Sequence, residues 1–354
     1  MGERLSLGVD AANLPRDRRG MGRYVRCVLR YFATTLAPRV RVTLLVPDVL
    51  PALVARRYLE DLPGDAAVAH RSAAGRLGLD VVWYPWNGMT WVAPGTKVAT
   101  VHDCWPFVSP APNGSIRRNE QQPFFATAAN ADTIIAGSQF ARAEVVRHLG
   151  FPADKIVVIP LGVTIPPRQG SAPSGDPYVL FVGHADARKG MGTLLAGIAA
   201  LPDALRAKYR LIVAGKGQPG NDGPAPDDIR VEFLGQVSDA LLADLYTGAS
   251  AFVFPSSYEG FGLPALEAMS YGVPVIASDA ASIPEAAGDA ALYFPSGDVP
   301  ALAAAIQLML GDAQLAAHMR SAGLARAANF SWERCAGATL DALSRVASAS
   351  ALRL

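Results

Sequence analysis

The sequence predicts an α/β protein made of two doubly wound, parallel-sheet domains. Three observations carry this expectation. Short runs of β-branched and apolar residues alternate with helical patterns in both halves of the chain. Residues 162–177, Gly-Val-Thr-Ile-Pro-Pro-Arg-Gln-Gly-Ser-Ala-Pro-Ser-Gly-Asp-Pro, break that alternation with a run rich in Pro, Gly and Ser that reads as a linker. A length of 354 residues suits two domains better than one.

In the first half, strands are expected at Leu5–Val9, Val40–Val46, Asp80–Tyr84, Lys97–Val101, Thr133–Ala136 and Ile156–Ile159, each a nearly continuous apolar run. Helices are expected at Gly22–Leu36, Ser115–Asn130 and Ser138–Leu149. The second half restarts with strands at Tyr178–Val182, Leu211–Ala214, Val231–Leu234, Ala251–Phe254, Val273–Ala277 and Ala291–Phe294. Its helices fall near Gly192–Ala200, Asp239–Thr247, Pro264–Tyr271 and Pro300–Met309. The Ala-rich tail from Ala313 to Leu352 reads as two more helices, broken near Asn329-Phe330-Ser331. Domain boundaries follow at 1–165 and 166–330, and no short-period repeat is visible. Two Rossmann-like domains imply a cleft between them, with ligands beyond the carboxyl ends of the strands.

The composition is globular, 51% hydrophobic and 18% charged. No apolar run reaches the length of a membrane span, and the start Met-Gly-Glu-Arg-Leu-Ser-Leu lacks a secretory apolar region, so a cytoplasmic location is expected. Gly2 and Ser6 fit the loose N-myristoylation pattern, but Leu5, Leu7 and Val9 alternate as in a first strand, which is the preferred reading. Cys27, Cys104 and Cys335 form no paired spacing, and the five histidines show no His-x3-His pattern. Neither disulfides nor a protein-bound metal is expected. Charge is uneven: residues 1–165 carry +6 and residues 166–354 carry −5, leaving +1. The basic excess gathers in Arg16, Arg18, Arg19, Arg23, Arg26 and Arg30. It reads either as a solvated helix face or as an attraction for an anionic acceptor or the cytoplasmic face of a membrane. No interleaved aromatic stripe accompanies it, so nucleic acid is not expected.

The residues after each strand supply the candidate site. After Ala251-Phe252-Val253-Phe254 comes Ser256-Ser257-Tyr258-Glu259-Gly260-Phe261-Gly262-Leu263-Pro264-Ala265-Leu266-Glu267. Two carboxylates flank a Gly-rich turn that opens a helix, whose free N–H groups favour anionic or strongly polar ligands. With Pro264 as first helical residue, Glu267 would lie in the first turn, where the macrodipole alone favours an acid. After Val182-Gly183 comes His184-Ala185-Asp186-Ala187-Arg188-Lys189-Gly190, whose two adjacent cations suit a diphosphate or, equally, a solvated basic loop. Gly215-Lys216-Gly217 is a further close-approach loop, and Gly235-Gln236-Val237 would bring main chain to a base-sized ligand. In the first half, Gly20-Met21-Gly22 opens a helix as a phosphate loop or as a tight packing turn. His102 ends a buried strand beside Asp103, a carboxylate able to orient the ring or raise its pKa.

Together these residues resemble the family 4 retaining glycosyltransferases of GT-B architecture, over nearly the whole chain. Glu259-Gly260-Phe261-Gly262-Leu263-Pro264 with Glu267 looks like the family's Glu, seven residues, Glu motif. Thr100-Val101-His102-Asp103 with Pro106 and Pro110 is similar to the first-domain motif of bacterial members that build surface polysaccharides and lipopolysaccharides, many with mannosyl donors. Phe330-Ser331-Trp332 resembles the start of the helix that crosses back onto the first domain. The resemblance implies a metal-independent, retaining hexosyltransferase. Its donor would be a nucleotide sugar, GDP-mannose first and a UDP-sugar second, and its acceptor a glycan or lipid-linked saccharide. It sets no oligomeric state. Glu267 would bind the ribose, and Glu259 and His102 the donor sugar. Phe261, Gly262 and Leu263 would offer main-chain N–H groups, Arg188 and Lys189 would neutralise the diphosphate, and Gly22 would sit against it. His184 stands where many relatives have Arg, which shifts phosphate clamping onto Arg188 and Lys189. No carboxylate is a clear nucleophile, so same-face attack is the expected chemistry, with the leaving phosphate taking the acceptor's proton. A nucleotide-sugar epimerase or phosphorylase of the same fold is the rival enzyme reading. An NAD-dependent dehydrogenase is disfavoured because no Gly-x-Gly-x-x-Gly turn follows the first strand.

Overall fold

The structure is a computed structural model and describes residues 4–17, 20–49, 58, 62, 66–110, 114–164, 175–184, 186–216 and 230–352. Gly2, Arg18, Arg19, Ala185, Gly217 and residues 165–174 of the expected linker lie outside these residues. The chain divides into two units, Met1–Gly162 with Ser331–Leu354, and Val163–Phe330.

The first unit is built on seven parallel strands: β1 Leu5–Asp10, β2 Val40–Val46, β3 Ala67–His70, β4 Val81–Tyr84, β5 Lys97–Val101, β6 Thr133–Ala136 and β7 Ile156–Val158. Their order is β3-β2-β1-β4-β5-β6-β7. Strands β4 and β6 are buried throughout, as parallel strands covered on both faces must be. β3, Ala-Val-Ala-His, is a half-exposed edge strand with no apolar run, and the sequence pattern missed it. Helices α1 Met21–Ala33, α2 Trp105–Val108, α3 Gly114–Asn130 and α4 Gln139–Leu149 connect the strands. In α1, Tyr24, Val25, Val28, Leu29 and Phe32 form the buried stripe. Tyr24 and Phe32 both pack on Trp83 of β4, with ring centroids 6.0 and 6.1 Å apart. Helix α4 is capped by Ser138, whose side chain accepts from the Ala141 N–H.

The second unit has six parallel strands: β8 Tyr178–Val182, β9 Arg210–Ala214, β10 Val231–Gly235, β11 Ala251–Phe254, β12 Val275–Ser278 and β13 Ala291–Phe294. Their order is β10-β9-β8-β11-β12-β13. Its helices are α5 Met191–Ala199, α6 Asp203–Lys208, α7 Asp239–Gly248, α8 Leu263–Ser270, α9 Ile283–Ala287, α10 Val299–Gly311 and α11 Ala313–Ala327. Strand β12 starts two residues later than its apolar run implies. The Val273 N–H is spent on the Ala268 carbonyl at 3.0 Å, closing α8, and Pro274 has no N–H to give. α6 and α9 are too short to show a helical period. After the second unit the chain forms α12, Trp332–Ala351, capped by Ser331. Trp332, Leu340 and Leu343 of α12 join the core of the first unit beside α1.

Among the described residues no single helix is long and apolar enough to cross a membrane. One pair, Val299–Gly311 with Ala313–Ala327, passes on length and composition together but is bent by 97°. In both units the strand order reverses once, beside β1 and β4 in the first and beside β8 and β11 in the second. Loops leaving the carboxyl ends of those strand pairs diverge and leave room for a ligand.

A polar contact lies in the apolar interior of the first sheet. The Trp83 indole N–H donates to Thr100 Oγ1 at 2.9 Å, and both side chains are buried. Thr100→Val keeps the shape and orphans that N–H. It is expected to lower unfolding stability by about 1–3 kcal/mol, read as a lower midpoint in urea with an unchanged slope.

Candidate functional site

The second unit gathers its candidate residues at the β8/β11 reversal. Beyond β8, the Gly183 N–H donates to the Ala214 carbonyl at 3.0 Å, and the chain turns through Ala187–Lys189. Asp186 caps this turn. Its carboxylate accepts from the Arg188 backbone N–H and from Arg188 Nε, both at 3.1 Å. The loop after β11 comes alongside: the Ser257 N–H donates to the Arg188 carbonyl at 2.7 Å. This contact delivers Lys189 to Glu259, and Nζ donates to Oε1 at 2.5 Å with both side chains largely buried. Behind the pair, the Ser282 hydroxyl donates to the Glu259 carbonyl at 2.7 Å. A buried ion pair of this kind recovers its desolvation cost only in good geometry, so it is better at fixing positions than at stabilising the fold.

Gly215 holds the neighbouring loop against Gly183. A Cβ on Gly215 would lie 1.7 Å from the Gly183 carbonyl oxygen, and its φ of 151° disfavours a side chain as well. The Gly215 N–H donates to the Gly235 carbonyl at 2.8 Å, so three strand ends meet backbone to backbone. Lys216 is exposed beside them, whereas the Val237 side chain is buried.

Helix α8 corrects one expectation. It starts at Leu263 with Gly262 as its cap, and Pro264 is the second helical residue. Glu267 therefore lies beyond the first turn, which holds no acid, and the macrodipole does not account for it. Its Oε2 instead accepts from the Tyr246 hydroxyl at 3.4 Å. Tyr246 is stacked on Tyr271 with ring centroids 5.2 Å apart. The Phe261 side chain packs edge-on against Phe330 at 5.8 Å.

In the first unit, Gly20 caps α1, Met21 is its first residue, and Gly22 has a packing reason to be glycine. A Cβ on Gly22 would lie 1.8 Å from the Asp17 carbonyl oxygen. Arg26 holds the same turn, donating from Nη1 to the Asp17 carbonyl at 2.6 Å and from Nη2 to the Leu14 carbonyl. One member of the basic cluster is thus structural, while Arg16 and Arg30 are exposed.

His102 also departs from expectation. The anticipated upward pull of Asp103 on its pKa is outweighed by burial, which lowers it; the Pro85 bond and the charges of Asp103 and Asp17 oppose burial without overcoming it. The ring packs edge-on against Tyr24 at 5.0 Å. A carbonyl oxygen only accepts, so the 2.9 Å contact with Pro85 O places the proton on Nε2 and leaves the Nδ1 lone pair. The Asp103 carboxylate caps α2 through the Trp105 N–H at 3.0 Å. His102 therefore offers a neutral acceptor, not a cation.

Pattern reading missed Asp186, Tyr246, Ser282 and Asn87. Asn87 Oδ1 accepts the His102 N–H at 2.7 Å from a residue with φ of 63°. Asn87-Gly88 is a turn signal, and Asp186 before Ala187-Arg188-Lys189 is a cap signal, so both were present in the sequence. Among the described residues no group of three or more His, Cys, Asp or Glu side chains forms a metal site.

Two outcomes follow. Gly22→Ala is expected to cost about 1–3 kcal/mol through the clash with Asp17, measured by thermal or urea unfolding. The folded pKa of His102 lies below its unfolded value, so the unfolded chain binds more protons as pH falls. The stabilising contribution is complete above the unfolded pKa of about 6.5 and is lost as pH drops from there toward the folded value. His102→Gln should therefore lose less stability than the wild type between pH 7.5 and 5, compared by urea midpoints.

Residues 19–165 match the family described as Glycosyltransferase Family 4, and residues 165–326 match Glycosyl transferases group 1. O-antigen chain mannosyltransferase B of Escherichia coli is 36% identical over 266 residues, 69% of either chain. Serotype-specific mannosyltransferase WbdA of Escherichia coli is 28% identical over 240 residues, 62% of this chain but only 29% of its own length. Sucrose-phosphate synthase from Thermosynechococcus elongatus shares the GT-B fold over 98% of this chain and 100% of its own, with a TM-score of 0.74 at 22% identity. Matching sequence over most of its length and folding into the two parallel-sheet units described above, the chain belongs to the family 4 glycosyltransferases.

Proposed function

We propose that this enzyme transfers mannose from GDP-mannose, with retention and without a protein-bound metal, to the saccharide of a surface glycan of the O-antigen type. The observation that carries the transferase chemistry is the Lys189–Glu259 bridge at the β8/β11 reversal. The sugar and the pathway are supported by the 36% identity to O-antigen chain mannosyltransferase B. GDP as the nucleotide and a cytoplasmic site of action are parts of the same proposal.

A diphosphate entering beside Arg188 and Lys189 would replace Glu259 as the partner of the Lys189 ammonium. That exchange frees the Glu259 carboxylate to accept a hydroxyl of the donor sugar, while Glu267 takes the ribose hydroxyls. As the bond from the anomeric carbon to the phosphate oxygen breaks, negative charge grows on the phosphate, where the two cations stabilise it. The acceptor hydroxyl attacks the same face, and its proton passes to the departing phosphate oxygen. With Glu259 occupied by a hydroxyl of the donor sugar, no carboxylate is assigned to the anomeric carbon, which favours this course over a covalent intermediate. His102, at the strand ends of the first unit, is by itself a neutral acceptor suited to a sugar hydroxyl.

Lys189→Ala is expected to lower kcat by about 100-fold or more in a GDP-mannose transfer assay. Full turnover in that variant would overturn the diphosphate role. Glu267→Ala should instead weaken nucleotide binding by about 10-fold, read by titration with GDP. In thermal-shift measurements GDP should raise the melting temperature by mass action more than UDP or ADP does. A larger shift with UDP would reassign the donor.

A further inference from the structure

The first sheet ends at β7, and among the described residues no strand pairs with its outer edge. In a parallel sheet successive residues turn their backbone groups to alternate sides. The Ile159 N–H donates inward to the Ala136 carbonyl at 2.8 Å, so Val158 turns its N–H and carbonyl outward, as Ile156 does. An open edge of this kind is a template for a further strand.

Two helices wall this edge. Ile156 shares a core with Ala141 and Val145 of α4 on one face of the sheet, and Val157 packs into the core that holds Leu343 of α12 on the other. Between α4 and α12 the edge floors an open cavity of about 560 Å³, a size that fits a short chain segment rather than a single ion.

Each wall places one arginine on the cavity. Arg142 of α4 is held just before β7, where Nη2 donates to the Ala153 carbonyl at 2.9 Å and Nη1 to Gln139 Oε1 at 3.5 Å. Arg345 of α12 is exposed and makes no hydrogen bond or ion pair among the described residues. Asp154, also exposed, lines the same cavity and bridges to neither arginine, so the three charges leave it net positive. A second copy of this edge would bring its own positive charge, whereas a strand carrying carboxylates is attracted. The two arginines stand on opposite faces of the sheet. Successive side chains of a strand point to opposite faces, so an added strand meets both arginines with acids at adjacent positions.

We propose that the β7 edge docks an extended acidic segment of a partner protein, which joins the first sheet as a further strand and pairs two adjacent carboxylates with Arg142 and Arg345. The site uses none of the residues assigned to the donor and does not rest on the transferase reading. The probe is a fluorescein-labelled hexapeptide, Thr-Val-Glu-Glu-Val-Thr amide, titrated with the full chain by fluorescence anisotropy. Binding is expected with a Kd of about 10–100 μM, and about 10-fold more weakly when both Glu are replaced by Gln. Arg345→Glu reverses an exposed charge and should weaken binding by about 10-fold or more. Val158→Pro removes an outward N–H and no hydrogen bond to β6, and should weaken binding by about 5–10-fold, with urea unfolding as the check on the fold of both variants. Bound peptide should also slow amide exchange at Ile156 and Val158. No binding to the wild type, equal binding of the Glu and Gln peptides, or unchanged binding in Arg345→Glu overturns the proposal. A concentration-dependent dimer of the free chain that Val158→Pro abolishes gives the edge to a second copy and overturns it as well.

Discussion

Reversal of strand order within each parallel sheet is the constraint from which the functional arrangement follows. Parallel strands need crossover connections, and where the crossovers change direction two neighbouring loops leave in opposite senses. In the second unit these are the loops after β8 and β11, and they bring a cationic turn against a carboxylate-bearing one. In the first unit the same topology brings Asp10 against the segment after β4. Chemistry that is scattered along the chain converges because the topology leaves those places open.

What fills the two openings differs in electrostatic character. Lys189 and Glu259 form an ion pair that an incoming anion can exchange, since a diphosphate offers more charge than one carboxylate. Asp10 and Arg71 form a pair that cancels in charge, with the guanidinium also over the Trp91 ring, while Trp86 bonds the Asp10 backbone carbonyl. His102 fits the second pattern: burial removes its charge and leaves hydrogen bonding as its means of recognition.

Much of this was legible in the sequence. Buried parallel strands are continuous apolar runs, so β2, β5, β6, β8, β11 and β13 could be placed to the residue. β3 was not, because an exposed edge strand of Ala, Val and His carries no run to read. The start of β12 depended on how α8 closes, which is a hydrogen-bond question rather than a pattern. The same held at the site. Arg188, Lys189, Glu259 and Glu267 were visible as strand-end residues, yet the pairing of Lys189 with Glu259 spans 70 positions and has no local signature. For His102 the sequence showed the upward pull of Asp103, which the structure retains, but not the burial that outweighs it, because no local pattern reports burial.

Helix α12 has a consequence for synthesis. The first unit is completed by residues that follow the whole of the second: Trp332, Leu340 and Leu343 enter its core beside α1. On the ribosome the second unit, contiguous in sequence, can close its core as soon as it has emerged. The first must wait, with the side of α1 that meets α12 uncovered, until that helix has been made. The unit translated first is the one that matures last, and during that interval its unfinished face is the surface that a chaperone would hold.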